Sequence, residues 1–189
     1  IWKGTSGLLA ETLVEELPEV ERAALHQYSI FKPKGILIKE DIKLEVEGLF
    51  ASDNYFEVFS YPLIEGDAKT ILKDKNSVVL SESTALKLFG TLHDLIGKTL
   101  VWKNDYFDTQ FQISGIFKDV PNNASNQFDA VVHYDWLIDW DRYANDWTGG
   151  YAETIVLLKE NTDLSLLSDK MTQVYKEKRQ FNKPRTLFV

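Results

Sequence analysis

The sequence predicts an α+β fold. Two observations predict the α+β class directly. Two-residue hydrophobic alternation recurs along the chain with helical stretches scattered among the alternating segments, and there is no regular strand–helix–strand succession of the kind that builds a doubly wound parallel sheet. A third sets the scale: 189 residues, 44% hydrophobic and 26% charged, suffice for one globular domain or two small subdomains sharing a core. No internal repeat or low-complexity tract interrupts it.

The elements follow in order. Leu8, Leu9, Leu13, Val14 and Leu17 recur at helical spacing after Thr5-Ser6-Gly7, and Pro18 ends the pattern, so 7–17 is a helix with Glu11, Glu15 and Glu16 on its solvated side. Alternation over 20–31 and 42–50 predicts two strands, with Lys32-Pro33-Lys34-Gly35 as the turn between them. Asp53 is placed to cap a short helix carrying Tyr55, Phe56, Val58 and Phe59, closed by Tyr61-Pro62. Ser77 to Leu80 form a short buried strand, and Ser81 caps a helix that packs Ala85, Leu86, Leu88 and Phe89 inward and stops at Gly90. A hairpin over 98–102 and 107–120 turns at Lys103-Asn104-Asp105, with Phe111, Ile113, Gly115 and Phe117 on one face. After the polar loop 121–126, strands at 128–133 and 151–159 flank an aromatic helical stretch, 134–145. Asp163 opens a last helix with Leu164, Leu167, Met171, Val174 and Tyr175 on its apolar face.

Charge and composition narrow the functional classes. With 21 Lys and Arg against 29 Asp and Glu the net charge is −8, so the surface repels phosphate backbones and nucleic acid is not expected as a partner. The lack of cysteine removes disulfides, thiolate metal sites and cysteine nucleophiles together. Apolar runs such as Thr154-Ile155-Val156-Leu157-Leu158 fall far short of the ~20 residues that span a bilayer. A first residue Ile1 and an apolar end, Leu187-Phe188-Val189, suggest a piece of a longer protein.

Chemical signatures are sparse. Gly97-Lys98-Thr99 looks like the end of a phosphate-binding loop, but six residues separate Gly97 from Gly90 where the motif needs four, and the stretch leaves a helix to enter a strand. His26, His93 and His133 are too far apart in sequence to form a local metal pair; His133, beside Tyr134-Asp135, reads as a strand-end residue. No metal, cofactor or catalytic residue is expected. Asp135, Asp139, Asp141 and Asp146 lack calcium-loop spacing, and acids there suit a solvated helix face better than a glycosidase pair. Asn123-Ala124-Ser125 fits a glycosylation sequon, which matters only in a eukaryotic secretory setting. The most concentrated feature is aromatic: Tyr134, Trp136, Trp140, Tyr143, Trp147 and Tyr151 fall within eighteen positions. Buried, they are the core of a helix on a sheet; exposed, they form a sugar-stacking platform or a protein interface. Trp136 and Trp140 share a helix face in either case.

Several stretches read together resemble a known family. Asn54-Tyr55-Phe56-Glu57-Val58-Phe59-Ser60-Tyr61-Pro62-Leu63-Ile64-Glu65-Gly66-Asp67 is similar to the signature of the MacB-like periplasmic core domain. Ser77 to Glu82, Ala85 to Gly90, Ile96 to Leu100 and Gln112 to Pro121 resemble the blocks that follow it, in the same order. Leu17 to Glu21, Trp147 and Tyr151 to Leu158 also fit. The resemblance implies an extracytoplasmic, non-catalytic domain of an ABC-transporter permease of the MacB and FtsX class, between its first two membrane helices. It further implies a discontinuous porter-like α/β part, 1–61 and 122–189, around an inserted second part of mixed α+β structure at 62–121. Implied partners are a cognate ABC ATPase reached through the full permease, a second permease copy, a periplasmic adaptor or outer-membrane protein, and the membrane through flanking helices. Trp136, Trp140 and Trp147 are the candidate contacts with substrate or partner. The alternative is a secreted carbohydrate-binding or glycosidase-like module built on the Trp and Asp cluster.

Overall fold

The structure is a computed structural model that describes residues 4–27 and 32–179. Helix α1 (Leu9–Glu16) starts after Ser6, whose Oγ accepts from Leu8 N, and buries Leu9, Ala10 and Leu13. Val14, expected inward, is 42% exposed. Strand β1 (Val20–Gln27) matches the first alternating stretch, whose remainder, 28–31, lies outside the described residues.

The expected turn at 32–35 is a strand entry instead. Lys34 and Gly35 open β2 (Lys34–Lys39), which pairs antiparallel with β3 (Ile42–Ala51), and the reversal comes at Glu40, whose φ is 54°. Isoleucine and leucine between two short polar pairs gave β2 too little alternation to stand apart from its turn. Helix α2 (Tyr55–Phe59) follows, and Asn54, not Asp53, takes the cap position. Asn54 accepts no capping bond there; its Nδ2 donates to Ala23 O at 2.6 Å and its Oδ1 accepts from Ser52 Oγ, which fastens the turn to β1.

A short strand not expected from the sequence, β4 (Leu63–Glu65), precedes β5 (Ser77–Ser81). Ser81 caps α3 (Glu82–Phe89) by accepting from Thr84 N at 3.3 Å, and Gly90 ends it at φ 70°, a conformation costly for any residue with a Cβ. The expected hairpin is β6 (Thr99–Asn104) and β7 (Asp108–Phe117), followed by β8 (Ala130–His133). The aromatic stretch divides into α4 (Asp135–Trp140) and a 3₁₀ turn at Arg142–Asn145, before β9 (Ala152–Leu158) and α5 (Leu164–Arg179).

All the strands among the described residues belong to one nine-stranded sheet in the order β2-β6-β7-β5-β8-β3-β1-β9, with β4 on β7. Strand β3 closes part of it into a circuit, because its first half pairs with β2 and its second half pairs in parallel with β8. The boundaries at 62 and 121 fall in loops, while the strands between them bond outward, β6 to β2 and β5 to β8.

Residues alternate between two cores across the circuit. Phe50, Val78, Leu80, Ala130 and Val132 face one core with Trp102, Phe107 and Phe111, whereas Leu49, Ala51, Val79 and Val131 face a second beneath α2. The expected common face of Phe111, Ile113 and Phe117 is broken by a bulge: Val78 pairs with Ile113 but Val79 with Gly115. The extra residue, Ser114, donates through Oγ to Ile71 O and Val78 O, and beyond it Phe117 turns into the second core. Gly48 allows the closest approach in the first core, since a Cβ there would lie 2.3 Å from the buried ring of Trp102.

Candidate interaction surface

Helix α4 is six residues long, and it is held by what its aromatic side meets. Trp136 packs on Phe107 and Phe111, with ring centroids 5.0 and 5.5 Å apart, and its Nε1 donates to Lys75 O at 2.8 Å. Lys75 Nζ lies 4.8 Å from the same ring and pairs with Asp139. One turn on, Trp140 makes an edge contact with Tyr106 at 5.0 Å yet stays 50% exposed. The two tryptophans thus share a face, as their spacing requires, and that face sits on the β6–β7 hairpin.

The other rings go elsewhere. Tyr134 is buried with its hydroxyl donating to Ala144 O at 3.3 Å, and burial pushes its pKa up. Tyr143 is 52% exposed. Trp147 is half-buried against Tyr175 of α5, at 6.3 Å. Tyr151 donates to Asp141 Oδ2 at 2.5 Å, a bond that, with burial, pushes the phenol up to about 12 and holds the Asp141 carboxyl below its usual range. Distributed in this way over the hairpin, the core and α5, the rings form no single stacking platform. Of the three candidate tryptophans, only Trp140 presents a largely open ring.

The acidic residues are likewise spent one by one. Asp139 pairs with Lys75, and Asp141 also accepts from Tyr143 N at 3.0 Å to start the 3₁₀ turn. Asp146 turns the chain by accepting from the Thr148 hydroxyl and N–H, which lower its pKa. Asp135 N donates to His133 Nδ1 at 3.1 Å, and the Asp135 carboxylate lies 3.4 Å from the same nitrogen, so His133 is a strand-end residue. His26 is buried on β1 with its ring edge on Tyr55 at 5.8 Å; desolvation depresses its pKa, opposed by the Gln27 carbonyl and Glu153. His93 is exposed in the loop after α3. Gly97-Lys98-Thr99 runs directly into β6, so no helix N-terminus faces a phosphate there. Among the described residues no cluster of three or more potential ligands could hold a metal ion, and no helix is long and apolar enough to cross a membrane.

Sequence reasoning missed a cleft between α1 and α4. Its volume is ≈ 650 Å³, and Glu11, Glu15, Asp53 and Asp135 stand around it. Nothing in a single segment signals it, because its walls come from distant parts of the chain.

The family model of the MacB-like periplasmic core domain matches residues 2–174. Comparison with curated proteins gives no match. Among solved structures, a permease-protein domain from Porphyromonas gingivalis superposes with a TM-score of 0.76 at 27% identity, over 93% of this chain and 72% of that one. The periplasmic region of MacB from Actinobacillus actinomycetemcomitans gives 0.68 at 16% identity, over 94% and 76%. The extracellular domain of the ABC-type transporter YknZ from Gram-positive bacteria gives 0.66 at 10% identity, over 98% and 90%. The last two likenesses bear on the fold alone.

Proposed function

The chain belongs to the MacB-like periplasmic core domain family, and from that premise we propose that it transmits ATP-driven movement of an ABC-transporter permease to substrate or partner proteins outside the membrane. It is a periplasmic domain of a permease of the MacB and FtsX class, in a family that is generally non-catalytic. The observation that carries the reading is the match over nearly the whole chain.

In this reading ATP is handled by a cognate ATPase, and closure of a permease dimer reaches the domain through membrane helices flanking it. A periplasmic adaptor or outer-membrane protein completes the path for some substrates. The division into 1–61 with 122–189 and an insert at 62–121 belongs to the same proposal. Hydrogen bonds from β2 to β6 and from β5 to β8 favour the two parts moving together as one sheet. Trp140 is the best placed of the candidate contacts, being half exposed at the end of α4 where it meets the β6–β7 hairpin.

The test uses the full parent permease with its ATPase in lipid nanodiscs. The domain contributes no cysteine of its own, so Ser125→Cys in the polar loop 121–126 accepts an environment-sensitive fluorophore. An emission change on adding ATP, absent with ADP, is the expected result. Identical spectra with ATP, ADP and no nucleotide would end the idea that motion reaches this domain.

A further inference from the structure

We infer that the cleft between α1 and α4 binds a basic, amphipathic peptide. Its floor is apolar, made by Ala10, Ala23 and Leu25, and its walls carry Val14 and Ile138. Val14 is 42% exposed on a helix whose other apolar positions, Leu9 and Leu13, are buried, which leaves an aliphatic side chain facing an open cleft. The volume of ≈ 650 Å³ lies within the range of ligand sites.

The charge around that floor has one sign. Glu11 and Glu15 come from α1, Asp53 from the turn after β3 and Asp135 from the start of α4, and among the described residues no lysine or arginine lines the cleft. Glu11 and Asp53 have no ion-pair partner among the described residues, and Asp135 has only His133. Lys178, near enough to Glu15 to feel its charge, is already paired with Glu16 at 2.6 Å. Four carboxylates gathered on a low-dielectric concave surface focus a negative field that attracts cations and repels anions. Because they come from three separate elements, they match several spaced positive charges better than one. The apolar floor between them matches the aliphatic residues of the same ligand. Ser52 and Asn54 also line the cleft but are committed to β1, Ser52 Oγ accepting from Leu25 N at 3.0 Å and Asn54 donating to Ala23 O at 2.6 Å, so recognition falls to the carboxylates and the floor.

The experiment titrates a fluorescein-labelled ten-residue peptide of alternating Lys and Leu into the 189-residue chain, read by anisotropy. Saturable binding is expected that weakens about tenfold or more between 25 and 300 mM salt. The triple variant Glu11→Gln/Glu15→Gln/Asp53→Asn should weaken binding about tenfold. A charge-matched control with exposed acids elsewhere, Asp41→Asn/Glu160→Gln/Asp169→Asn, should stay within about twofold. Val14→Ser should weaken binding without altering its salt dependence, and circular dichroism verifies that each variant is folded. The inference fails if the control weakens binding as much as the triple variant, which would reduce the effect to net charge. It fails equally if spermidine, a polycation without an apolar body, displaces the peptide at matched charge, or if a Gln/Leu peptide binds as well. Binding to the chain is independent of ATP-coupled movement, so failure here leaves the proposed function standing, and the reverse.

Discussion

Two regions of the molecule are equally rich in aromatic side chains and use them in opposite ways. Under α2, Tyr55, Phe56, Phe59, Tyr61, Phe117 and Phe128 interlock, with ring centroids between 4.6 and 6.5 Å apart, and Tyr55, Phe56 and Phe117 are almost wholly buried. Along 134–151 the rings separate, each finding a different neighbour, and Trp140 and Tyr143 remain half in solvent. Four of the first region's six rings, Tyr55, Phe56, Phe59 and Tyr61, lie within the signature stretch 54–67, so what that stretch encodes is largely a packing unit. The second region has no such common packing, and two of its rings lie half in solvent, where a partner could reach them. Aromatic density alone therefore does not locate function; what separates the regions is whether each ring's neighbours are supplied by the same cluster.

The largest effect should come from breaking the closed region. Phe56→Ala removes a ring that contacts Tyr55, Tyr61 and Phe117 with no solvent on any side. Loss of transfer energy plus a cavity predicts a destabilisation of about 3–5 kcal/mol, measured by urea denaturation. An effect below about 1 kcal/mol would mean that the cluster relaxes and is not the rigid unit described. Trp136→Ala comes next, at about 2 kcal/mol, because its ring is half-buried on Phe107 and Phe111 and its indole N–H satisfies the Lys75 carbonyl. That variant tests the boundary between the regions: Trp136 belongs to the open stretch in sequence and to the core in space.

A pH series sharpens the contrast without removing a ring. His26 lies against Tyr55 and Phe59 at the edge of the closed region, and desolvation lowers its pKa below the ordinary 6.5. Between the depressed folded value and the ordinary unfolded one the unfolded chain binds more protons. Stability contributed by the neutral imidazole is therefore fully present above about 6.5 and is lost as pH falls through that window. Glu153 and the Gln27 carbonyl oppose the shift and Lys32 adds to it, without reversing its direction. Melting curves from pH 7.5 to 5 should show the decline in the native chain and a flatter profile in His26→Gln. Equal slopes in the two would place the titration elsewhere.

How much of this was legible in the sequence follows the same division. The α+β class, Ser81 and Gly90 as caps, and the pairing of Trp136 with Trp140 on one face all rest on local spacing, which a single chain displays. The closed strand circuit, the bulge at Ser114 and the β2 strand rest on partners far away in sequence. Phe117 illustrates this: its period-two neighbours placed it with Phe111, and only the extra residue pairing against β5 moved it to the other core. The cleft was unreadable for the same reason, since Glu11, Asp53 and Asp135 become neighbours only when α1, β3 and α4 are packed.

The smallest expected effect on stability is also the most informative about use. Trp140 is 50% exposed and the ring it meets, Tyr106, is itself only half-buried, so Trp140→Ala should cost under about 1 kcal/mol. If the open region serves transport, the same substitution in the full permease should lower export several-fold while the ATP-dependent fluorescence change at position 125 persists, because motion would still arrive but contact would be weakened. Phe56→Ala should instead lose both together through unfolding. A Trp140→Ala variant that exports normally would reassign that ring to plain surface and turn attention to the α1–α4 cleft as a place of recognition.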